Sequence, residues 1–366
     1  MLDPARFRID PGRTVFAILA FEGPDVYSQA GGLGVRVTGL ARALAGQRFE
    51  THLFFAGDPA LAADETSAGG RLTLHRCQQR LSLRFPGGVY EGEDVRVREW
   101  DASLPPRLVD TLLAPALEAG RNAVVMGEEW QTARSMDLID ARLRGFGIRE
   151  RAVLLWNANN IFAFEHLDWS RLREAATITT VSRYMKQIMW DWGENPIVIP
   201  NGIPAGIVRD PPPAARRAVR EAAGGDLFCF KIGRFDPGKR WLMAIDAIAE
   251  LRRGGIRVRL LARGDGEAHG AEVLTHGRRN GLRVEDVPAP KDAKGLVELL
   301  RANPQADVLN LITFLPERLL GTIYGAGDAV LANSRHEPFG LVGLEVMAAA
   351  GVAVTGSTGE DYAQAY

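Results

Sequence analysis

Thr14-Val15-Phe16-Ala17-Ile18-Leu19-Ala20-Phe21 leads to Gly31-Gly32-Leu33-Gly34, and then to a stretch that sets Val37, Leu40, Ala41 and Leu44 on one helical face. This order of strand, glycine turn and helix decides the fold. Near-continuous apolar runs are what a strand carries when helices cover both faces of its sheet. Glycines at the turn let backbone N–H groups approach an anion, and the helix N-terminus adds partial positive charge. Gly31, Gly32 and Gly34 are therefore candidates to sit beside a phosphate or an anionic leaving group. A plain tight turn is the other reading of the same glycines.

The alternation continues outward. Short apolar or β-branched runs at 50–55, 122–126, 152–157 and 197–200 are separated by helix-like stretches. The pattern restarts after Pro211-Pro212-Pro213 with runs at 228–232, 257–262, 308–311, 329–332 and 352–355. A parallel sheet in each half is expected. The segment from Pro204 to Gly225, with its triple proline and Gly224-Gly225, reads as an interdomain connection. The expected division is a first Rossmann-like domain at 1–205, a linker at 206–226 and a second Rossmann-like domain at 227–366. Met185, Ile188, Met189 and Trp192 fall on helical spacing and are expected to pack against the first sheet.

Composition sets the class. The 366 residues hold 46% hydrophobic and 24% charged side chains, with 44 basic against 45 acidic. That profile disfavours disorder and nucleic-acid binding. A length of this order fits two domains, and two domains imply a cleft between them. The two cysteines, Cys77 and Cys229, lie far apart, which excludes a CxxC site and a disulfide framework and fits a reducing cytoplasm. The first residues lack the apolar core of a signal peptide, and no apolar stretch reaches membrane-spanning length. No segment sets Lys and Arg opposite a Trp or Leu face, so membrane docking is not expected.

Two later stretches carry candidate chemistry. Gly233-Arg234-Phe235-Asp236-Pro237-Gly238-Lys239 follows an expected strand, at the carboxyl end where open α/β sheets bind ligands. Arginine offers a fork of donors and lysine a compact charge, a pairing suited to a diphosphate; a solvated basic turn is the alternative. His336-Glu337-Pro338-Phe339-Gly340-Leu341-Val342-Gly343-Leu344-Glu345 places Glu337 in a loop and Glu345 about two turns along a helix. The two acids need not meet the same ligand atom.

Taken in order, GGLG, VSRYM, IPNGI, GRFDPGK and EPFGLVGLE resemble the retaining GT-B glycosyltransferases, the large group that includes glycogen synthase and sucrose synthase. The resemblance spans nearly the whole chain. It implies α/β architecture with two Rossmann-like domains whose parallel sheets face across a cleft. It implies that Arg234 and Lys239 bind the diphosphate of a nucleotide sugar, that Glu337 contacts the transferred sugar and that Glu345 holds the donor ribose. Backbone around Phe339, Gly340 and Leu341 would approach sugar or phosphate, and Thr358 lies in a stretch similar to the family's phosphate-side glycine loop. Glu128-Glu129-Trp130-Gln131-Thr132 is similar to the family's acid-Trp-Gln/His-Thr segment, which lines the acceptor side; a core tryptophan with a helix-capping Thr132 competes.

Two departures accompany the match. Many relatives place a histidine where this chain reads Trp156-Asn157-Ala158-Asn159-Asn160, so Asn159 or Asn160 would hydrogen-bond sugar hydroxyls without titrating. The chain also ends at Tyr366, where relatives continue with further helices, and the second domain is expected to be incomplete. The implied reaction uses a UDP- or ADP-hexose, glucose first among the candidates, and a hydroxyl acceptor such as a saccharide. It needs no metal or other cofactor, and the sequence has no DxD pair and scattered histidines. A nucleotide-sugar epimerase and a catalytically impaired nucleotide-sugar-binding protein remain as alternatives. Trp156, Phe162, Phe164 and Trp169 are expected in the core rather than on an acceptor platform.

Overall fold

The computed structural model describes residues 9–203, 207, 212–264, 268–313 and 315–355. The chain divides into two compact units, Met1–Gly202 and Ile203–Tyr366. Among the described residues of the first unit, the strands are β1 Thr14–Leu19, β2 Glu50–Ala56, β3 Asp64–Ser67, β4 Leu72–Cys77, β5 Asn122–Glu128, β6 Ala152–Ala158, β7 Thr177–Thr180 and β8 Ile197–Val198. They form one sheet in the order β3-β4-β2-β1-β5-β6-β7-β8. Every pairing is parallel except that of β3 with β4. The second unit has β9 Leu227–Ile232, β10 Val258–Arg263, β11 Val284–Val287, β12 Val308–Leu311, β13 Ala329–Ala332 and β14 Ala353–Thr355. Its order is β11-β12-β10-β9-β13-β14, parallel throughout.

Strand order reverses beside β1 in the first sheet and beside β9 in the second. At such a point the connections leave toward opposite sides and open a crevice at the carboxyl ends of the strands. The glycine turn follows β1, the Glu128-Glu129 pair closes β5, the arginine-lysine turn follows β9 and the EPFG loop follows β13. The topology thereby delivers the candidate residues to these positions.

Burial follows from alternation along the strands. Ile18, Leu53 and Phe55 meet Val37, Ala41 and Ala45 of the helix Gly32–Gly46 on one face of the first sheet. In β9, Phe228 and Phe230 point to a core with Val219, Ala223 and Tyr324, whereas Cys229 points to the opposite core with Trp241 and Ile245. The helix Pro213–Ala223, within the stretch read as a connection, packs Val219 and Ala223 into the second unit's core. Burial pushes the thiols of Cys77 and Cys229 up to about 12 and about 11. Among the described residues, no helix is long and apolar enough to cross a membrane.

The structure adds detail to the expected pattern. Strands β3, β4, β7 and β11 were not expected, because DETS, LTLHRC, TITT and VEDV carry too few apolar residues to stand out. Met185 and Met189 are buried as their spacing requires, but the helix ends at Trp190, so Trp192 lies beyond it and packs on Phe164 and Trp169. Trp156 and Phe164 are core residues with Trp169 edge-on to both. Phe162 is not: it is 65% exposed, in the loop after β6, where its amide donates to Asn160 Oδ1.

Candidate functional site

Two adjacent acids, Glu128 at the end of β5 and Glu129 just past it, find different partners. Glu128 is fully buried and meets Arg36 of the helix Gly32–Gly46, with Nε at 3.3 and 3.2 Å from its two oxygens. Asn157 and Asn159 each donate a side-chain N–H to Glu128 Oε2 at 2.9 Å. Arg36 also donates to Asn201 Oδ1, tying the end of the first unit to its glycine helix. Glu129 sits at φ 66°, in the left-handed region where a non-glycine residue is strained. That turn is held by Trp156 Nε1 and Thr132 Oγ1, both donating to the Glu129 carbonyl, at 2.9 and 3.0 Å. Thr132 therefore closes the turn instead of capping the next helix, Ala133–Gly145.

The Glu129 carboxylate accepts from the Asn159 amide and from Asn160 Nδ2, both at 2.7 Å. These donors favour the ionised form, but burial outweighs them and, with Glu128 and Glu22 nearby, pushes the Glu129 carboxyl up to about 8. A carboxyl whose folded value is raised holds its proton better folded than unfolded. Its stabilising contribution is complete below the ordinary carboxylate range and is lost as pH rises through about 8. Glu129→Gln should accordingly melt at a temperature that falls less steeply than wild type between about pH 6 and pH 9. Parallel melting curves across that range would show that Glu129 is ionised throughout.

The glycine turn has an internal occupant that the sequence reading missed. Glu22, just past β1 and 4% exposed, accepts from the amides of Gly31 and Gly34 at 2.9 Å each. Tyr90 donates its hydroxyl to the other oxygen at 2.6 Å. Space at Gly34 is also tight, since a Cβ there would stand 3.0 Å from the Gly23 carbonyl oxygen and that backbone would have to give by a few tenths of an ångström. An acid nine residues before the glycines was the available signal. Trp130 stands near the exposed ring of Phe162, with centroids 6.5 Å apart.

In the second unit, Gly233 leaves β9 at φ 145° and a turn follows. Asp236 Oδ1 accepts from the Gly238 amide at 2.7 Å and starts the short helical turn Pro237–Lys239. Arg240, left-handed at φ 51°, redirects the chain into the helix Trp241–Arg253. Trp241 Nε1 donates to the Arg234 carbonyl at 2.8 Å, and Phe235 packs on Trp241 with centroids 4.6 Å apart. Phe235 also lies against Gly264, where a Cβ would come within 1.9 Å of its ring.

The EPFG loop comes to this turn. The Arg335 amide donates to the Gly238 carbonyl at 2.7 Å, and Lys239 Nζ forms an ion pair with Glu337. Gly340, at φ 81°, begins the helix Leu341–Ala348, which carries Glu345. Glu345 is 8% exposed and accepts the Tyr324 hydroxyl at 2.9 Å; burial pushes its carboxyl up to about 7. Phe339 is buried, which leaves backbone as what this loop presents there. The structure thus joins Lys239 to Glu337 directly and sets Glu345 apart on the helix. Tyr324, Lys231 and Asn333 were not singled out from sequence. Thr358 lies outside the described residues.

Two open α/β sheets, each with its candidate residues gathered at strand carboxyl ends beside an order reversal, are the parts of a GT-B fold, and glycosyltransferase structures of that fold superpose on this chain. Residues 214–360 match the family described as Glycosyl transferases group 1, so the second unit carries a domain of that family. The two-sheet fold implied by the motifs is borne out, and the glycosyltransferase resemblance is borne out at the level of that domain. A D-inositol 3-phosphate glycosyltransferase from Segniliparus rotundus is 30% identical over 151 residues, which is 41% of this chain and 29% of that protein's length. The catalytic domain of starch synthase IV from Arabidopsis thaliana, bound to ADP and acarbose, superposes with a TM-score of 0.64 at 16% identity, covering 94% of this chain and 82% of that one. Sucrose-phosphate synthase from Thermosynechococcus elongatus gives 0.60 at 20% identity, covering 94% and 81%. A trehalose-6-phosphate structure from E. coli bound with UDP-2-fluoro glucose gives 0.57 at 15%, covering 93% and 84%.

Proposed function

We propose that the chain is a glycosyltransferase that moves a hexose from a nucleoside diphosphate sugar to a hydroxyl acceptor with retention of anomeric configuration. The observation that carries this reading is the junction of the Gly233–Arg240 turn with the EPFG loop, where Lys239 meets Glu337 inside the family-matched domain. Arg234 and Lys239 take the donor diphosphate, Glu337 the transferred sugar and Glu345 the ribose. Phe339, Gly340 and Leu341 contribute backbone to the same ligand. Glu129, Trp130, Asn159 and Asn160 belong to the acceptor side.

In this reaction the acceptor oxygen bonds to the anomeric carbon as the bond from that carbon to the diphosphate oxygen breaks. The leaving diphosphate takes the acceptor's proton. Charge grows on the leaving group in the transition state, so fixed cations at Arg234 and Lys239 stabilise it where water would need to reorganise. The ADP and UDP-sugar ligands of two of the similar structures support a nucleotide donor and suggest adenosine and uridine as the bases to try first.

A thermal-shift panel of ADP, UDP, GDP and their glucose conjugates, with nicotinamide dinucleotides as controls, tests this reading. A ligand at 100 times its Kd adds about 2.7 kcal/mol to stability. Stabilisation by a nucleoside diphosphate, followed by transfer to an acceptor with the anomer assigned by NMR, is the expected result. Stabilisation by the dinucleotides alone would sink the proposal.

The state of Glu345 adds a pH dependence. An ionised carboxylate is the better acceptor for two ribose hydroxyls, and Glu345 loses that form as pH falls through about 7. The affinity advantage of wild type over Glu345→Gln for the nucleotide sugar should therefore shrink about tenfold between about pH 8 and pH 6. Titration calorimetry on both proteins at each pH checks this, and an advantage that stays constant would remove Glu345 from the ribose.

A further inference from the structure

Lys231 is a lysine in the middle of a buried strand, and alternation along β9 puts it on the same side as Cys229, facing Trp241. It is 2% exposed. An ammonium in such a place is costly unless each of its hydrogens finds a partner. Here Nζ donates to the Leu331 carbonyl at 3.2 Å and to Asn333 Oδ1 at 2.6 Å, and it stands 5.0 Å from the centre of the Trp241 ring. These partners lead to both ends of the turn that carries Arg234 and Lys239. Trp241 holds the Arg234 carbonyl through its indole N–H. Asn333 holds the Arg240 carbonyl through its own N–H at 3.3 Å.

We propose that Lys231 is a positioning residue, whose buried ammonium braces Trp241 and Asn333 and thereby fixes both ends of the Gly233–Arg240 turn. Its link to the diphosphate rests on the function proposed above; its hold on the turn does not. Burial, with Lys239 adding repulsion and Glu337 attraction, brings the Lys231 ammonium down to about 7. Lys239 and Glu337 are the charged groups that act on it. Below that value the brace has its charge on the Trp241 ring as well as both hydrogen bonds; as pH rises through it the neutral amine keeps two N–H donors but loses that attraction, and the brace weakens. A bound diphosphate beside Lys239 would hold the proton on Lys231 to higher pH.

The test uses the full chain and Lys231→Met, which keeps length and removes charge. Hydrogen–deuterium exchange without ligand, corrected for intrinsic rates, should show the 233–240 amides exchanging about tenfold faster in the variant, while β10 and β12 keep wild-type protection. Wild type should lose protection at the turn between about pH 6 and pH 9, and the variant should be flat. A conservative Lys231→Arg chain should hold the turn without that pH dependence. Unchanged turn protection in a folded Lys231→Met chain overturns the proposal. Should that variant fail to fold, a flat wild-type profile overturns it instead.

Calorimetry with ADP-glucose and UDP-glucose, whose diphosphates do not titrate near neutrality, separates the two readings. Affinity about tenfold weaker in Lys231→Met than in wild type at about pH 6, where Lys231 holds its proton, supports both. A turn that loosens in a chain whose wild type binds no nucleotide supports the brace and refutes the donor site.

Discussion

Lys239→Ala should bind the nucleoside diphosphate at least about 100-fold more weakly than wild type, the larger of two effects expected from single substitutions. A charge-assisted contact to a phosphate oxygen accounts for about 1.5–3 kcal/mol of this. The remainder comes from the partner left behind. Glu337 pairs with Lys239 in the ligand-free chain and its side chain is only 18% exposed, so removing the lysine leaves a carboxylate where the diphosphate should settle. Titration calorimetry with the diphosphate checks the loss, and Glu337→Ala supplies the control. That variant should bind the diphosphate at least as well as wild type but turn over more slowly, because under the proposed function it removes an anion from beside the diphosphate and a contact from the sugar. Equal diphosphate affinity in wild type and Lys239→Ala would remove Lys239 from the site.

Arg36→Met should destabilise the first unit by about 3–5 kcal/mol, the usual cost of stranding one partner of a buried ion pair. Glu128 has no exposure to compensate, and the side-chain N–H groups of Asn157 and Asn159 would be its remaining donors. The same substitution frees Asn201 from the glycine helix. Urea unfolding measures the loss. Arg36→Met combined with Glu128→Gln should recover much of it, since the double variant buries no unpaired charge. Additive losses in the two single variants would mean that the pair is not coupled.

The parts of this protein that were legible in its sequence are those where one residue type has one use. Apolar runs such as Val15–Leu19 and Phe228–Phe230 mark central strands because their side chains meet helices on both faces. The Arg234-to-Lys239 turn and the EPFG loop were readable because fixed spacing after a strand places them at its carboxyl end. Edge strands β3 and β11 were not, since a strand half open to solvent can be as polar as DETS or VEDV and still complete its ladder. Lys231 escaped for a different reason. A lysine within an apolar run looks like an interruption, and its partners Leu331 and Asn333 are about a hundred residues away. Tyr324 and Glu345 likewise meet only through the packing of two helices. Phe162 misled because aromatic spacing alone cannot distinguish a core ring from one on a loop past the strand end.

The carboxylate of Glu22 gives the glycine turn a property that the motif alone would not. A group tethered through a few bonds acts at an effective concentration far above that of any small anion in a cell or a buffer, of order molar and upward for rigid connections. A dissolved phosphate competing for the Gly31 and Gly34 amides must displace a rival that never diffuses away and is itself steadied by Tyr90. The turn therefore discriminates against loose inorganic anions by local mass action. Only a ligand anchored elsewhere on the molecule, and so equally concentrated on arrival, meets Glu22 on even terms.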